Sequence, residues 1–145
     1  MKITNEFRMT VDSKSINESF ARAAVAAFAA QLDPTVDEIT DIKTAVSEAV
    51  TNCIVHAYPL SVGKIYIYAA ILDGDTVKIT VRDRGCGIID IKQAMEPLFT
   101  TLGGERAGLG FAVMESFTDK VKVRSTVGKG TTVTMYKHIS GRAGE

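Results

Sequence analysis

The chain has 145 residues, 46% of them hydrophobic and 23% charged, which is an ordinary globular composition and predicts one domain over residues 1–145. Lysine plus arginine and aspartate plus glutamate number 17 each, so no overall charge favours nucleic acid or an anionic membrane as a direct partner. No apolar run approaches the roughly 20 residues of a membrane span, and two cysteines are too few for a disulfide framework, so we expect a cytoplasmic protein with reduced thiols.

The N-terminal half is predicted to contain one strand and two helices. Alternating polar and apolar residues over 1–10 predict a first strand, at a sheet edge. Helical spacing of apolar residues over about 15–31 predicts the first helix, which Asp33-Pro34 ends. Its apolar face is predicted to consist of Ile16, Phe20, Ala23, Ala24, Ala27 and Phe28. A second helix is predicted from near Thr35 to about Tyr58, with its apolar face running from Ile39 to Ala57.

The C-terminal half is predicted to be mostly strands. Segments 64–72 and 76–82 form a predicted hairpin around the turn 73–75. The glycine-rich stretch 83–110 is predicted to hold one short helix near 89–95, and a further helix runs from Gly108 or Leu109 to about Thr118. Two more strands are predicted around 121–123 and 132–137, with a turn at 128–130 between them. Residues 140–145 are expected to form a frayed tail.

Early helices and later antiparallel strands predict an α+β fold. We expect a two-layer α/β sandwich, in which the helices cover one face of a mostly antiparallel sheet. A doubly wound parallel sheet is disfavoured, because helices and strands do not alternate regularly and no glycine-rich phosphate loop follows the first strand. No segment carries the complete P-loop pattern, so a Walker-type ATPase is disfavoured as well.

Three polar residues of the second predicted helix, Glu48, Asn52 and His56, are spaced at i, i+4 and i+8 and therefore form one stripe. On an isolated helix, a solvated flank is the commoner explanation of such a stripe. Beside a phosphate group, the amide oxygen of Asn52 would suit Mg²⁺, and the Glu48 carboxylate could accept a proton from an attacking hydroxyl. Only the position of the helix distinguishes the two interpretations.

A second motif, at residues 83–88, directly follows a predicted strand. Asp83 comes where the strand ends, and Gly85 and Gly87 leave room for a flat ligand to approach the backbone. A carboxylate in that place can accept a hydrogen bond from the exocyclic amine of adenine. A simple surface turn is the alternative explanation of the same residues.

Two further glycine-containing segments are weaker signals by themselves. Gly108, Leu109 and Gly110 open a predicted helix, where backbone N–H groups and the helix N-terminus favour an anion. Near the C-terminus, Gly130 is followed by Thr131 and Thr132. Neither segment alone distinguishes a binding site from a surface loop.

Taken in this order, the motifs resemble the N, G1, G2 and GT boxes of the GHKL superfamily, whose Bergerat fold binds ATP in gyrases and histidine kinases. Segments 17–22, 32–35, 47–52 and 97–101 further resemble the sporulation anti-sigma F factor family of serine-protein kinases, and the similarity covers nearly the whole chain. The related stress-response anti-sigma kinases share the boxes and are the alternative within the same class.

The resemblance implies a protein serine kinase that uses ATP and Mg²⁺. It implies that Asn52 is the Mg²⁺ ligand, that Glu48 is the base for the serine hydroxyl, and that Asp83 reads the adenine amine. It also implies that Arg106 touches the γ-phosphate, within a lid over 98–107. The remaining implied nucleotide-binding residues are Gly85, Gly87, Thr100, Gly108, Leu109, Gly110 and Thr131.

The resemblance further implies two protein partners for a homodimer. One is a sigma factor that the ATP-loaded dimer holds inactive, and the other is an anti-anti-sigma protein that the dimer phosphorylates on serine. Asn17 and Arg22 on the first helix are the implied contact residues. Two other classes stay open. A detached histidine kinase catalytic domain would need a phosphoacceptor helix that this chain lacks, whereas a non-catalytic ATP-dependent interaction module would bind nucleotide without phosphoryl transfer.

Overall fold

The structure is a computed structural model that describes residues 1–91, 95 and 110–141. Its helical elements are α1 (Ile16–Ala29), a 3₁₀ turn (Ala30–Leu32), α2 (Val36–Asn52), a π-helical turn (Cys53–Ala57) and α3 (Phe111–Phe117). Its strands are β1 (Ile3–Asp12), β2 (Lys64–Leu72), β3 (Thr76–Asp83), β4 (Lys120–Thr126) and β5 (Gly130–His138). The strand positions agree with those predicted from the sequence.

The strands form one antiparallel sheet in the order β1-β2-β3-β5-β4, which places β1 at an edge as predicted. Alternate residues of the inner strands, among them Ile67, Ile79 and Met135, are buried and pack against residues of the helices, such as Val46 and Phe111. The helices therefore cover one face of the sheet, and the predicted α+β sandwich is confirmed.

Helix α2 begins with a capping box. The Thr35 side chain accepts a hydrogen bond from the backbone N–H of Glu38, and the Glu38 carboxylate accepts one from the backbone N–H of Thr35. The same carboxylate accepts hydrogen bonds from Ser140 and Gly141. The expectation of a frayed tail is therefore wrong for these two residues, because the Glu38 carboxylate, more than 100 positions earlier in the chain, binds them. Residues 142–145 lie outside the described part of the chain.

The predicted apolar face of α1 is largely wrong. Ile16 and Phe20 are 77% and 55% exposed, while the buried side of the helix consists of Ala21, Val25, Ala26 and Ala29. An alanine-rich helix is apolar on several sides, so spacing alone does not show which side faces the sheet. The small buried side chains let α1 lie close to its neighbours, and the larger apolar ones remain at the surface. Phe28 is an exception, because its ring lies 4.9 Å from that of Phe7.

Several predicted boundaries move or fall outside the described residues. A short helix is predicted near 89–95. In the structure, the first helical residue of this segment is Ile91, and its carbonyl accepts a hydrogen bond from the N–H of Met95. Helix α3 begins at Phe111, while the predicted first residues Gly108 and Leu109 lie outside the described part. None of the described helices has both the length and the apolar character needed to cross a bilayer.

Candidate functional site

A cavity of about 440 Å³ lies on the helix-covered side of the sheet, between α2, the end of β3 and the first residue of α3. The residues that line it are Ala49, Asn52, Cys53, His56, Ala57, Val81, Asp83, Gly87, Ile88, Ile89, Asp90, Phe111, Thr131 and Val133. Most of these side chains are apolar and a few are polar, which is the usual composition of a small-molecule site. A cavity of this size is large enough for a planar ligand such as a purine.

Asp83 is the buried acidic residue in the wall of the cavity, and it is only 6% exposed. Its Oδ1 accepts hydrogen bonds from the backbone N–H groups of Gly85 at 2.9 Å and Thr131 at 3.2 Å. Burial raises the pKa of this carboxyl above its usual value, against the lowering effect of those hydrogen bonds. The two N–H groups fix one carboxylate oxygen, and Oδ2 lies 3.6 Å from the Cys53 sulfur. Asp83 therefore lies in the wall of the cavity, and its role in binding adenine stays a prediction.

The last turn of the second predicted helix is not α-helical. After Asn52 the chain adopts a π-helical turn, Cys53–Ala57, which closes with the hydrogen bond from the N–H of Tyr58 to the carbonyl of Cys53. Turns of this kind are rare and recur at functional sites. Here the carbonyls of His56 and Ala57 accept hydrogen bonds from the thiol and the backbone N–H of Cys86. The π-helical turn thus anchors the loop that follows β3.

The loop after β3 fits against its neighbours only because it contains glycine. A side chain at Gly85 would overlap the backbone of Ala57, and one at Gly87 would overlap the backbone of Thr126. Gly87 also has a φ of +80°, a conformation that favours glycine. The sequence analysis assigned these glycines to close approach by a ligand. The structure adds a second reason for them, because the protein's own backbone approaches both positions.

Strand β5 and the turn before it hold the other side of this loop. Thr131 is paired with Asp83 across the sheet, and its hydroxyl lies 2.8 Å from that of Ser125. The Ser125 hydroxyl accepts a hydrogen bond from the N–H of Ile88, and the Cys86 carbonyl accepts one from the N–H of Gly128. The loop is therefore anchored by α2 on one side and by the β4–β5 hairpin on the other.

The three residues of the predicted polar stripe occupy different places. Asn52 and His56 line the cavity, with Asn52 Oδ1 and His56 Nε2 buried, so a solvated flank does not describe them. Glu48 is half-buried one turn before Asn52, and its carboxylate lies against Gly110 so closely that a side chain at 110 would overlap it. Gly110 has a φ of +69° and precedes α3. Glu48 therefore lies beside the start of α3, next to the cavity.

Several lining residues were not predicted as part of a site. Cys53 lies between Asn52 and Asp83, and both burial and the nearby Asp83 carboxylate raise the pKa of its thiol well above the usual value. Ile88 and Phe111 contribute apolar walls. Helical spacing could have indicated Cys53, which lies one turn after Ala49 on the same side of the helix. Nothing in the sequence pattern distinguishes the other two from ordinary core residues.

Some predicted site residues cannot be placed in the cavity. Thr100, Arg106, Gly108 and Leu109 all lie outside the described residues. Of the residues predicted to bind phosphate or Mg²⁺, the described part of the chain contains only Asn52 and Gly110.

The two predicted partner-binding residues are on α1, away from the cavity-lining residues. Asn17 donates a hydrogen bond to the Asp12 carbonyl at 2.9 Å, so its amide fastens the end of β1. Arg22 donates to Glu18 at 3.3 Å and to the Ser47 hydroxyl at 3.2 Å, and Ser47 also binds Glu18. The Arg22 side chain remains 39% exposed. The hydrogen bonds among Arg22, Glu18 and Ser47 therefore connect the surface of α1 to α2, at the residue that precedes Glu48.

Comparison with known families places this site in a known ATPase domain. Residues 12–137 match the model of the histidine kinase-like ATPase domain family. The catalytic domain of the histidine kinase ThkA superposes with a TM-score of 0.58 at 17% identity, covering 96% of this chain and 97% of that one. At that identity the likeness shows the fold alone, and the family match implies a nucleotide-binding, kinase-type ATPase domain.

More similar proteins narrow the family. An anti-sigma F factor of Caldanaerobacter subterraneus subsp. tengcongensis is 60% identical over 140 residues, which cover 96% of this chain and 97% of the relative. A solved structure of the RsbU and RsbW domains of a Mycobacterium tuberculosis protein is 25% identical with a TM-score of 0.69. That alignment covers 94% of this chain and 32% of the longer one.

Proposed function

This chain belongs to the histidine kinase-like ATPase domain family and, within it, to the anti-sigma F factors; on that premise we propose that it is an ATP-dependent anti-sigma factor. We also propose that it phosphorylates an anti-anti-sigma protein on serine. The observation that carries the proposal is the cavity, whose buried Asp83 carboxylate is held by two backbone N–H groups. The kinases of the stress response are the alternative, and the relatives' names favour the sporulation branch.

The Asp83 end of the cavity supports adenine binding. A carboxylate can accept a hydrogen bond from the adenine 6-amino group, whereas guanine presents a carbonyl at that position and would be repelled. Val81, Ile88 and Phe111 supply apolar surface for the base. We assign Thr131 and Gly87 to the same end, because both line the cavity beside Asp83.

The other end of the cavity supports phosphate and Mg²⁺. Asn52 contributes one neutral amide oxygen, and Mg²⁺ in nucleotide sites is usually held by a small number of protein oxygens together with phosphate oxygens and water. The donor set therefore fits the ion. When bound, Mg²⁺ would neutralise charge on the phosphate groups. The proposed phosphate contacts at Thr100, Gly108, Leu109 and Gly110, and the γ-phosphate contact of Arg106, complete the assignment.

Glu48 is the proposed general base. Its carboxylate lies one helical turn before Asn52 and beside Gly110, at the edge of the cavity. In this position it would accept the proton of the incoming serine hydroxyl as the serine oxygen attacks the γ-phosphorus and the bond to ADP breaks. Phosphoryl transfer depends chiefly on alignment and charge neutralisation, so a positioned base, a metal ion and a cationic side chain are sufficient.

The exposed side of α1 is the proposed partner surface. Ile16 and Phe20 place large apolar side chains at the surface of α1, and Arg22 of the same helix is half-exposed. Aromatic and arginine side chains are both enriched at the centres of protein interfaces. We assign this surface to the sigma factor and the anti-anti-sigma protein, in a homodimer of the chain.

A phosphotransfer assay tests the proposal directly. The protein is incubated with Mg²⁺, γ-labelled ATP and a purified anti-anti-sigma protein, and the label on serine is measured. We expect transfer by the natural chain and its loss in Glu48→Gln, with ATP affinity preserved. Glu115→Gln is the matched control, because Glu115 is exposed on α3 and should leave transfer unchanged.

The Asn52→Ala variant separates the metal role from the base role. It should weaken Mg²⁺-dependent ATP binding itself, whereas Glu48→Gln should not. Equal loss of ATP affinity in both variants would contradict the two assignments. Tight ATP binding and sigma-factor capture without any transfer by the natural chain would instead identify a non-catalytic interaction module.

A further inference from the structure

The face of the sheet that the helices leave uncovered carries a row of side chains that crosses four strands. The strand register aligns Tyr66 of β2 with Arg82 of β3, Arg82 with Thr132 of β5, and Thr132 with Arg124 of β4. Since neighbouring strands are about 4.8 Å apart, Arg82 and Arg124 stand about 10 Å apart on either side of Thr132. The positions of two arginines therefore flank that of Thr132 in this row.

This row forms the floor of a groove of about 280 Å³. Arg84, just beyond the end of β3, and Lys129, in the β4–β5 turn, also line it, so four cationic residues surround the groove. The hydroxyls of Thr126 and Thr132 lie among them. Asp83 borders the groove as well, but its carboxylate accepts hydrogen bonds from Gly85 and Thr131 and lines the cavity on the opposite face of the sheet.

The four cations have no counter-charge in the part of the chain that the structure describes. There, none of them forms an ion pair with a carboxylate. Arg82 and Arg84 even share one aromatic ring, with their guanidinium carbons 4.7 and 5.0 Å from the centre of Tyr66. The ring attracts both guanidinium groups, and an anion beside them would relieve the repulsion between the two like charges.

The concentration of charge is local. Basic and acidic residues are equally numerous in the whole chain, so the groove is not the consequence of a generally basic protein. Guanidinium groups bind phosphate through paired N–H donors, and hydroxyls add further donors. A single carboxylate would neutralise only one of the four charges, whereas a ligand with two or more phosphate groups would neutralise most of them.

We propose that this groove is a second anion site, which binds a compact ligand carrying two or more phosphate groups. It is separate from the cavity beneath the helices, and it lies behind Asp83 and Thr131, whose backbones border both. The four cations lie around one groove of about 280 Å³, and this small extent favours a small phosphate compound over the backbone of a nucleic acid strand.

Calorimetric titration with inorganic pyrophosphate tests the site. The titration uses the natural chain with a saturating non-hydrolysable ATP analogue, which occupies the cavity, and is repeated without the analogue. We expect pyrophosphate to bind in both cases, with an affinity that falls as salt concentration rises. The double variant Arg82→Ala, Arg124→Ala should bind about tenfold or more weakly, because two charge-assisted contacts are lost.

Arg8→Ala is the matched control. Arg8 lies on the same face of the sheet over Tyr68, at 4.5 Å, but does not line the groove, so its removal should leave pyrophosphate affinity unchanged. Equal weakening by Arg8→Ala would overturn the proposal, because it would show only a general attraction to the basic face. Competition of pyrophosphate with the ATP analogue for one site would overturn it as well.

Two further arms distinguish the source of the anion. A single-stranded oligothymidylate that binds the natural chain while pyrophosphate does not would overturn the compact-ligand assignment in favour of nucleic acid. Sedimentation of the natural chain and the double variant, each at the same concentration, provides the second arm. A change of oligomeric state in the double variant would show that Arg82 and Arg124 take part in self-association, and it would overturn the proposal of an anion site.

Discussion

Asp83 is the residue on which most of the candidate site depends. Its Oδ1 accepts two backbone N–H groups from different segments, Gly85 in the loop and Thr131 on β5, so the carboxylate both orders the loop and faces the cavity. An isolated buried carboxylate is costly, and these contacts together with the Cys53 thiol offset part of that cost. We therefore expect the ligand to supply the remaining donor.

The Asp83→Asn variant tests whether Asp83 accepts a hydrogen bond from the ligand, and it keeps a side-chain oxygen that can order the loop. An asparagine oxygen can still accept from Gly85 and Thr131, but its amide nitrogen would meet the adenine amine donor to donor. ATP affinity should fall about tenfold to a hundredfold, which is the usual loss when a buried hydrogen bond is replaced by an unpaired donor. Fluorescence titration with labelled ATP and GTP measures the affinity and the base preference.

Asp73→Asn is the control for that substitution. Asp73 lies in the β2–β3 turn with a φ of +55°, a conformation that asparagine tolerates, and it is remote from the cavity. It should leave ATP affinity unchanged. An unchanged ATP affinity in Asp83→Asn would refute the adenine assignment.

The two cysteines should differ in reactivity. Cys86 is exposed, whereas Cys53 is buried and has a pKa raised well above the usual value, so Cys53 remains a protonated thiol at neutral pH. Because the thiolate is the reactive form, iodoacetamide should alkylate Cys86 in the folded protein and spare Cys53. Peptide mass spectrometry reads out both sites, and in denaturant both should react. Faster alkylation of Cys53 than of Cys86 in the folded state would disagree with the structure.

At the scale of elements, α2 and the π-helical turn after it form one wall of the cavity, and Glu38 at the start of α2 binds Ser140 and Gly141. The sequence predicts this helix well, because its apolar spacing is regular. It does not predict the π-helical turn over Cys53–Ala57, since apolar spacing continues through it and no proline or glycine marks the change. The hydrogen bonds from Cys86 to this turn come from a distant segment and leave no local signal.

Glu38 should make stability depend on pH in the acid range. Burial opposes ionisation, but hydrogen bonds from Thr35, Ser140 and Gly141 outweigh it and lower the pKa to about 2 from an ordinary value of 4.5. The folded state thus favours the ionised form, so this contribution is complete above pH 4.5 and is lost as pH falls towards 2.

Urea unfolding of the natural chain and of Glu38→Gln over a pH series measures this contribution. At neutral pH the variant should be less stable by about 1 to 2 kcal/mol, the usual cost of losing a capping interaction. The difference should narrow between pH 4.5 and 2. A stability difference that is constant across this range would show that the Glu38 charge contributes nothing.

The exposed side of α1 gives a prediction about partners. Phe20→Ser should change the free energy of unfolding by no more than about 0.5 kcal/mol, because the ring is already half in solvent. Capture of a sigma factor should weaken about tenfold or more, as expected for an aromatic residue at an interface centre. Surface plasmon resonance measures capture. Leu60→Ser is the control, because Leu60 is 97% exposed and lies in the loop before β2; this variant should bind the sigma factor normally.

An unaltered sigma-factor affinity in Phe20→Ser would remove α1 from the partner surface. The sequence alone did not show which side of α1 is exposed. It assigned Ile16 and Phe20 to the buried face, because a helix with so many alanines offers several apolar sides. Only the position of α1 against α2 and the sheet determines which of them is covered.

At the scale of the molecule, the sheet separates two chemically different faces. The helix-covered face holds the cavity with Asp83 and Asn52, and the open face holds the groove with Arg82 and Arg124. The overall fold could be predicted from the order of helices and strands and from the motifs at 83–88 and 130–132. The open-face groove could not, because it depends on the register of β3, β4 and β5, and the balanced total charge conceals the cluster.

On the proposed function, ATP in the Asp83 cavity controls the capture of a sigma factor. The most direct measurement is the affinity of a purified sigma F factor for the immobilised chain, with and without Mg²⁺ and ATP, in the natural chain and in Asp83→Asn. We expect ATP to strengthen capture by the natural chain and to have little effect on the variant at the same ATP concentration. Equal sigma-factor affinity with and without ATP in the natural chain would contradict this proposed control by ATP.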